Sequence, residues 1–254
     1  MSRYFIKLAY NGANYNGWQV QDNTPNTVQQ VLEEKLAMLL KETIEVTGCG
    51  RTDTGVHARS YYAHFTCRNT DLTENTTHWV YKLNTVLPSD ISIFSIQKVK
   101  DAAHARFDAT SRTYHYFLHQ HKNPFIENLS WHQYGFIDFE LMNKACEILL
   151  ETKDFTSFSK LNTQTKTNIC YVSEASWMQL NETEWCFVIT ADRFLRNMVR
   201  SIVGTLLLVG RNKITISDFR KIIESKNRSE AGMSVPAHAL FLTDIQYPEE
   251  TFFD

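Results

Sequence analysis

The chain opens on an alternation of polar and apolar positions. In "RYFIKLAY", Tyr4, Ile6, Leu8 and Tyr10 fall on one face, which predicts a strand with a buried side. The period then changes. In "TVQQVLEEKLAMLLKE", Val28, Val31, Leu32, Leu36, Leu39 and Leu40 recur at helical spacing, with Thr27 placed as N-cap and Gln30 three residues on. "TIEVTGC" and "SYYAHFTC" return to strand-like patterns on either side of a turn. A helix around Thr77 to Val86 and the strand "DISIFSIQKV" complete a β-α-β-β-α-β order, the split βαβ arrangement.

The second half repeats the theme more loosely. "RTYHYFLH" predicts a strand, "DFELMNKACEILLE" a helix, and "NICYVSEASWMQL" with "EWCFVITA" an antiparallel pair joined at "NET". "FLRNMVRSIVGTLLLVG" and "TISDFRKIIES" predict helices, and "HALFLTDIQY" a closing strand. The expected class is α+β, with two ferredoxin-like halves, residues 1–103 and 104–254, although no Pro/Gly/Ser linker marks the boundary.

Composition narrows the function classes. The 254 residues are 43% hydrophobic and 21% charged, enough for a sizeable core and without a low-complexity tract. The alternating start shows no signal peptide or anchor, and the apolar stretch near Ile202 to Val209 is too short to cross a bilayer. Five cysteines (Cys49, Cys67, Cys146, Cys170, Cys186) without CxxC spacing read as reduced thiols, so a cytoplasmic protein is expected. Net charge is −2, yet residues 193–232 carry nine Lys or Arg against three acids. That segment is either a set of solvated faces or a surface that neutralises phosphates, and charge alone leaves both open.

"TGCGRTDTGVHARSYYAHF" places Asp53 in a glycine-flanked turn beside Arg51, His57 and Arg59. Turn aspartates commonly bond nearby backbone, but a carboxylate at a loop tip with positive neighbours also suits chemistry that needs it ionised. Arg193, Arg196 and Arg200 at spacings of three and four predict one face of a helix, beside an apolar face of Leu195, Val199, Ile202 and Leu206. They are snorkelling surface arginines or include one that reaches an acid in a cleft. In "SRTYHYFLHQH", Tyr114 and Tyr116 alternate with His115 and Phe117, and one tyrosine could present its ring to a base. His115, His119 and His121 lack a convergent carboxylate or thiolate, so no metal site is expected. No GxSxG elbow, GxGxxG loop or Walker A loop is present.

"LAYNGANYNGWQVQ", "TVQQVLEEKL", "GCGRTDTGVHA", "ARFDATSRTYHY", "DFTSF", "FLRNMVRSIVGTL" and "VPAHALFL", in this order, closely resemble the TruA family of tRNA pseudouridine synthases. The resemblance implies the pseudouridine synthase fold with mixed, mostly antiparallel sheets and an active-site cleft between the halves. It implies that Asp53 is the catalytic aspartate, paired with Arg200, and that Tyr114 contacts the substrate while Leu240 packs on the base. Arg51 would help hold RNA with its target base displaced, and His57, Arg59, Arg193 and Arg196 fall among the expected substrate-binding positions. Members are homodimers without cofactor or metal that isomerise uridines at tRNA positions 38 to 40, in the anticodon stem-loop. Thr54, Cys49 and Ala239 depart from the family's usual Ala, Ala and Gly, all by small residues.

The chemistry fits those residues. Isomerising uridine breaks N1–C1′, rotates the base and rejoins it through C5, which needs a flipped nucleotide, an ionised carboxylate and exclusion of water, and no redox partner. Three other readings stand beside it: an RNA-binding module or RNA chaperone on the same scaffold, a nuclease using Asp53 with His57, and the same isomerisation on another RNA.

Overall fold

The computed structural model describes residues 1–22, 24, 26–69, 71–160 and 166–252. The chain groups into two compact units, Met1–Thr110 together with Leu242–Asp254, and Ser111–Phe241. Each contains strands and helices, and the strand pairs described below are antiparallel except at one short strand.

In the first unit β1 (Ser2–Tyr10) pairs on one side with β3 (His57–Cys67) and on the other with β4 (Ile91–Val99). The predicted face of β1 is buried, with Tyr4, Ile6, Leu8 and Tyr10 all at most 4% exposed. Phe5 is buried on the opposite face, edge-on to Tyr247 and Phe252, so the C-terminal segment covers that side. α1 (Val28–Leu40) starts where Thr27 accepts the Gln30 N–H and stops at Lys41, which takes the left-handed conformation. Its buried positions are Val28, Leu32, Leu36 and Leu40, while Val31 and Leu39 sit at the edge of the stripe.

β2 is shorter than "TIEVTGC" predicts, only Thr47–Gly48. The reason is that α1 takes the preceding backbone: Glu33 accepts the Val46 N–H at 2.8 Å and Gln29 donates to the Val46 carbonyl at 3.0 Å. Two helices follow β3: the single turn α2 (Asp71–Glu74) and α3 (Thr76–Val86). The register of β4 slips against β1 between Lys7 and Leu8, a bulge. There the Asn84 amide of α3 donates to the Ile93 carbonyl and accepts the Ile93 N–H, at 2.8 and 2.7 Å.

In the second unit β5 (Ser111–His119) pairs with β8 (Glu184–Ala191), β8 with β7 (Val172–Gln179), and the two-residue β6 (Trp131–His132) runs parallel to β5. α4 (Phe139–Glu151) is capped by Asp138. α6 (Ile216–Glu224) begins with a reciprocal Thr215–Asp218 box. α4 packs on β7 and against both α6 and α5 (Met198–Gly210). The closing strand β9 (Leu240–Gln246) begins in this unit and ends in the other.

One expectation is corrected. The helix predicted from Phe194 starts at Met198, because Asn197 is left-handed at φ 68 and the Arg196 carbonyl receives the Lys160 N–H at 3.1 Å. A left-handed residue cannot continue a right-handed helix backwards. Arg193 and Arg196 therefore lie on the approach to α5 and share no helical face with Arg200.

Candidate active site

The turn that carries Asp53 is built from both sides. The Asp53 carbonyl accepts the Val56 N–H at 3.1 Å, closing a four-residue turn. Gly55, at the third position, has φ 77, which a type II turn requires and which suits glycine. Tyr15 presents its carbonyl to the Gly55 N–H, and the Thr52 carbonyl accepts the Trp18 N–H, both at 3.3 Å. The hydroxyls of Thr52 and Tyr10 share a buried hydrogen bond of 2.9 Å. Below them Tyr61 stacks on Trp18 at 4.1 Å and meets Tyr10 edge-on. The Tyr15 hydroxyl donates to Asp90 at 2.6 Å, and burial followed by that carboxylate raises its pKa, so it stays a donor. Asp53 itself is half-buried.

Of its neighbours, Arg51 and Arg59 are exposed. His57 differs. It is 1% exposed and its Nδ1 accepts the Gly12 N–H at 3.0 Å. Through that bond to Gly12 the buried His57 braces the loop.

In the second unit the sequence positions Arg200, Tyr114 and Leu240 on α5, β5 and β9. Arg200 donates its Nε to the Val235 carbonyl at 2.6 Å, and its own carbonyl takes the Val235 N–H at 3.2 Å. The next carbonyl, Pro236, accepts the Tyr116 hydroxyl at 3.1 Å. Upstream, Arg228 holds the Gly232 carbonyl and the Ser234 hydroxyl, which also meets the Asn197 amide. Residues 231–236 thus form a strap laid on α5, and a 3-10 turn at Ala237–Ala239 delivers the chain to the buried Leu240 and Phe241. Tyr114, half-buried on the same face of β5 as Tyr116, sets its ring edge-on to Phe194 at 5.1 Å. Arg193 is half-buried and Arg196 exposed, in the segment before α5.

The motif reading missed the strap and its anchors Asn197, Tyr116 and Arg228. Its signal was the pair Gly204 and Gly232, since a Cβ on either would run into the other's segment. Gly204→Ala makes a sharp test. Helix propensity alone favours Ala by about 1 kcal/mol, but the new methyl would overlap the Met233 carbonyl oxygen. The expected result is the opposite sign, a loss of roughly 1–3 kcal/mol in urea unfolding. A stabilised variant would show that the strap is not tightly seated.

The family profile described as tRNA pseudouridine synthase matches residues 7–108 and 145–248. The tRNA pseudouridine synthase A of Parabacteroides distasonis is 53% identical over 99% of this chain and 98% of its own. That of Porphyromonas gingivalis is 53% identical over 99% and 100%. That of Clostridium acetobutylicum is 41% identical over 97% and 100%. The chain belongs to the tRNA pseudouridine synthase family. Membership makes it an isomerase that acts in tRNA modification. Among the described residues no helix is long and apolar enough to cross a membrane.

Proposed function

We propose that this enzyme isomerises uridines at positions 38 to 40, in the anticodon stem-loop of tRNA, with Asp53 as the essential carboxylate. The observation that carries the reading is the construction of the Asp53 turn, whose flanking backbone is pinned by Tyr15, Trp18 and the Tyr10–Thr52 hydroxyl pair. A side chain held on a rigid turn loses little freedom on meeting its substrate, which is what positioning for catalysis requires.

In this reading Arg200 keeps Asp53 ionised and aimed, because a desolvated carboxylate without a cation tends to protonate. Tyr114 borders the flipped uracil, and Leu240 with Phe241 makes the pocket apolar and dry. Arg51, Arg59, Arg193 and Arg196 meet phosphates, giving affinity that falls with salt. His57 serves as a brace of the catalytic turn. The glycosidic bond that breaks is matched by the carbon–carbon bond that forms, with no change of oxidation state, so no cofactor or metal is demanded. The enzyme works as a homodimer in the cytoplasm, a setting consistent with five cysteines that are all free and buried.

The test is position mapping. Purified enzyme, incubated with an unmodified tRNA transcript and no added cofactor, is expected to leave pseudouridine only at positions 38 to 40, read by carbodiimide adducts and primer extension. Modification elsewhere in the transcript would assign the same chemistry to another site, and binding without modification would point to the chaperone reading.

A further inference from the structure

Residues 103–108, "AHARFD", form a loop whose backbone is unusually well held. Arg3 donates to the Ala103 carbonyl at 2.8 Å, and the Tyr247 hydroxyl to the Ala105 carbonyl at 2.5 Å. The Ala105 N–H goes to Nδ1 of His64 at 3.1 Å. His104 Nδ1 accepts the N–H of both Arg106 and Phe107, at 3.1 and 3.3 Å, and Asp108 accepts the His104 N–H at 2.7 Å. Burial lowers the pKa of the His64 imidazole to about 4 and lowers that of His104 as well, which keeps both rings available as acceptors at neutral pH.

At the end of this scaffold Phe107 is 74% exposed. His104 backs it, with ring centroids 4.2 Å apart and a tilt of 34°, and the Arg106 guanidinium lies 5.7 Å from its centroid. A loop with its donors and acceptors satisfied has little freedom to fold the ring inward. The exposed apolar surface is therefore presented rather than merely left over. A flat ring joined to a cation is the pairing that takes an unpaired nucleobase by stacking and its phosphate by charge.

We propose that Phe107 is a stacking platform for an unpaired base of the tRNA, an RNA contact in addition to the Asp53 pocket. The inference rests on tRNA being the substrate. The ring supplies the affinity, so its loss acts on binding and leaves the chemical step alone.

The experiment compares the wild-type enzyme with Phe107→Ala, Phe107→Leu and Phe107→Tyr. Each is assayed for affinity to an unmodified tRNA transcript, single-turnover rate at saturating tRNA, thermal unfolding and molar mass by light scattering. Ala and Leu are expected to weaken binding about tenfold, the scale of one lost base–aromatic stack, while Tyr stays within about twofold. Saturated rate, unfolding temperature and mass are expected to match wild type. Unchanged binding in Phe107→Ala overturns the platform, and so does full binding in Phe107→Leu, which would show an apolar contact without stacking. Affinity that falls only together with a change in mass overturns it in favour of a protein interface. A wild-type enzyme that neither binds nor modifies the transcript faults the substrate assignment as well, whereas a competent wild type with a competent Phe107→Ala faults the platform alone.

Discussion

Asp53→Asn is expected to lower single-turnover pseudouridine formation by about 10⁴-fold or more, the scale seen when an essential catalytic group is removed. That corresponds to about 5.5 kcal/mol of lost transition-state stabilisation. The substitution keeps side-chain size and removes the negative charge. The turn itself is held by the Asp53 carbonyl, Gly55 and Thr52, none of which the change touches. Unfolding temperature should stay near wild type, and tRNA affinity within a few-fold. Tritium release from uridine labelled at C5 measures the rate directly. Residual activity above about one per cent of wild type would remove Asp53 from the centre of the chemistry, since loss of an essential carboxylate leaves no such rate whereas loss of one that matters only for binding does.

Arg200→Ala has two expected effects, and they separate. The guanidinium loses its hydrogen bond to the Val235 carbonyl, so the strap at residues 231–236 loosens. A carbonyl deprived of a charged donor costs roughly 1–3 kcal/mol, visible in chemical unfolding. Beyond that, loss of the cation proposed to hold Asp53 ionised is expected to cut the single-turnover rate by about 10²–10³-fold, as for removal of one electrostatic donor from an active site. Arg200→Lys distinguishes the two. It restores a positive charge without the planar fork, so it should recover part of the rate and little of the strap's stability. A normal rate in Arg200→Ala would assign the arginine to strap anchoring alone.

The sequence and the structure divide the explanation along physical lines. Local pattern was enough wherever the chain's own period decided the outcome. The alternation at Tyr4, Ile6, Leu8 and Tyr10 and the Thr27 cap both appear where their residue types place them. The motif around Asp53 was legible too, because an acid, a left-handed glycine and flanking strands are local features. The start of α5 was not. "FLRNMVRS" has helical spacing, but Asn197 leaves the right-handed region and its amide meets Ser234, a partner more than thirty residues away in sequence. β2 shortened for a similar reason, since Glu33 and Gln29 capture the backbone of Val46 from another element.

The sequence by itself determined the α+β class, because periodicity and caps are written in neighbouring residues, and its ordered motifs gave the family, whose resemblance supplied the candidates Asp53, Tyr114, Arg200 and Leu240. Tertiary structure alone decided that Leu242–Asp254 groups with the first unit, that His57 turns inward to Gly12, and that the strap at 231–236 is what seats Arg200. Those outcomes depend on which distant backbone groups meet a side chain's donors and acceptors. A hydrogen bond between residues far apart in the chain leaves no period in the sequence, so only the folded chain displays it.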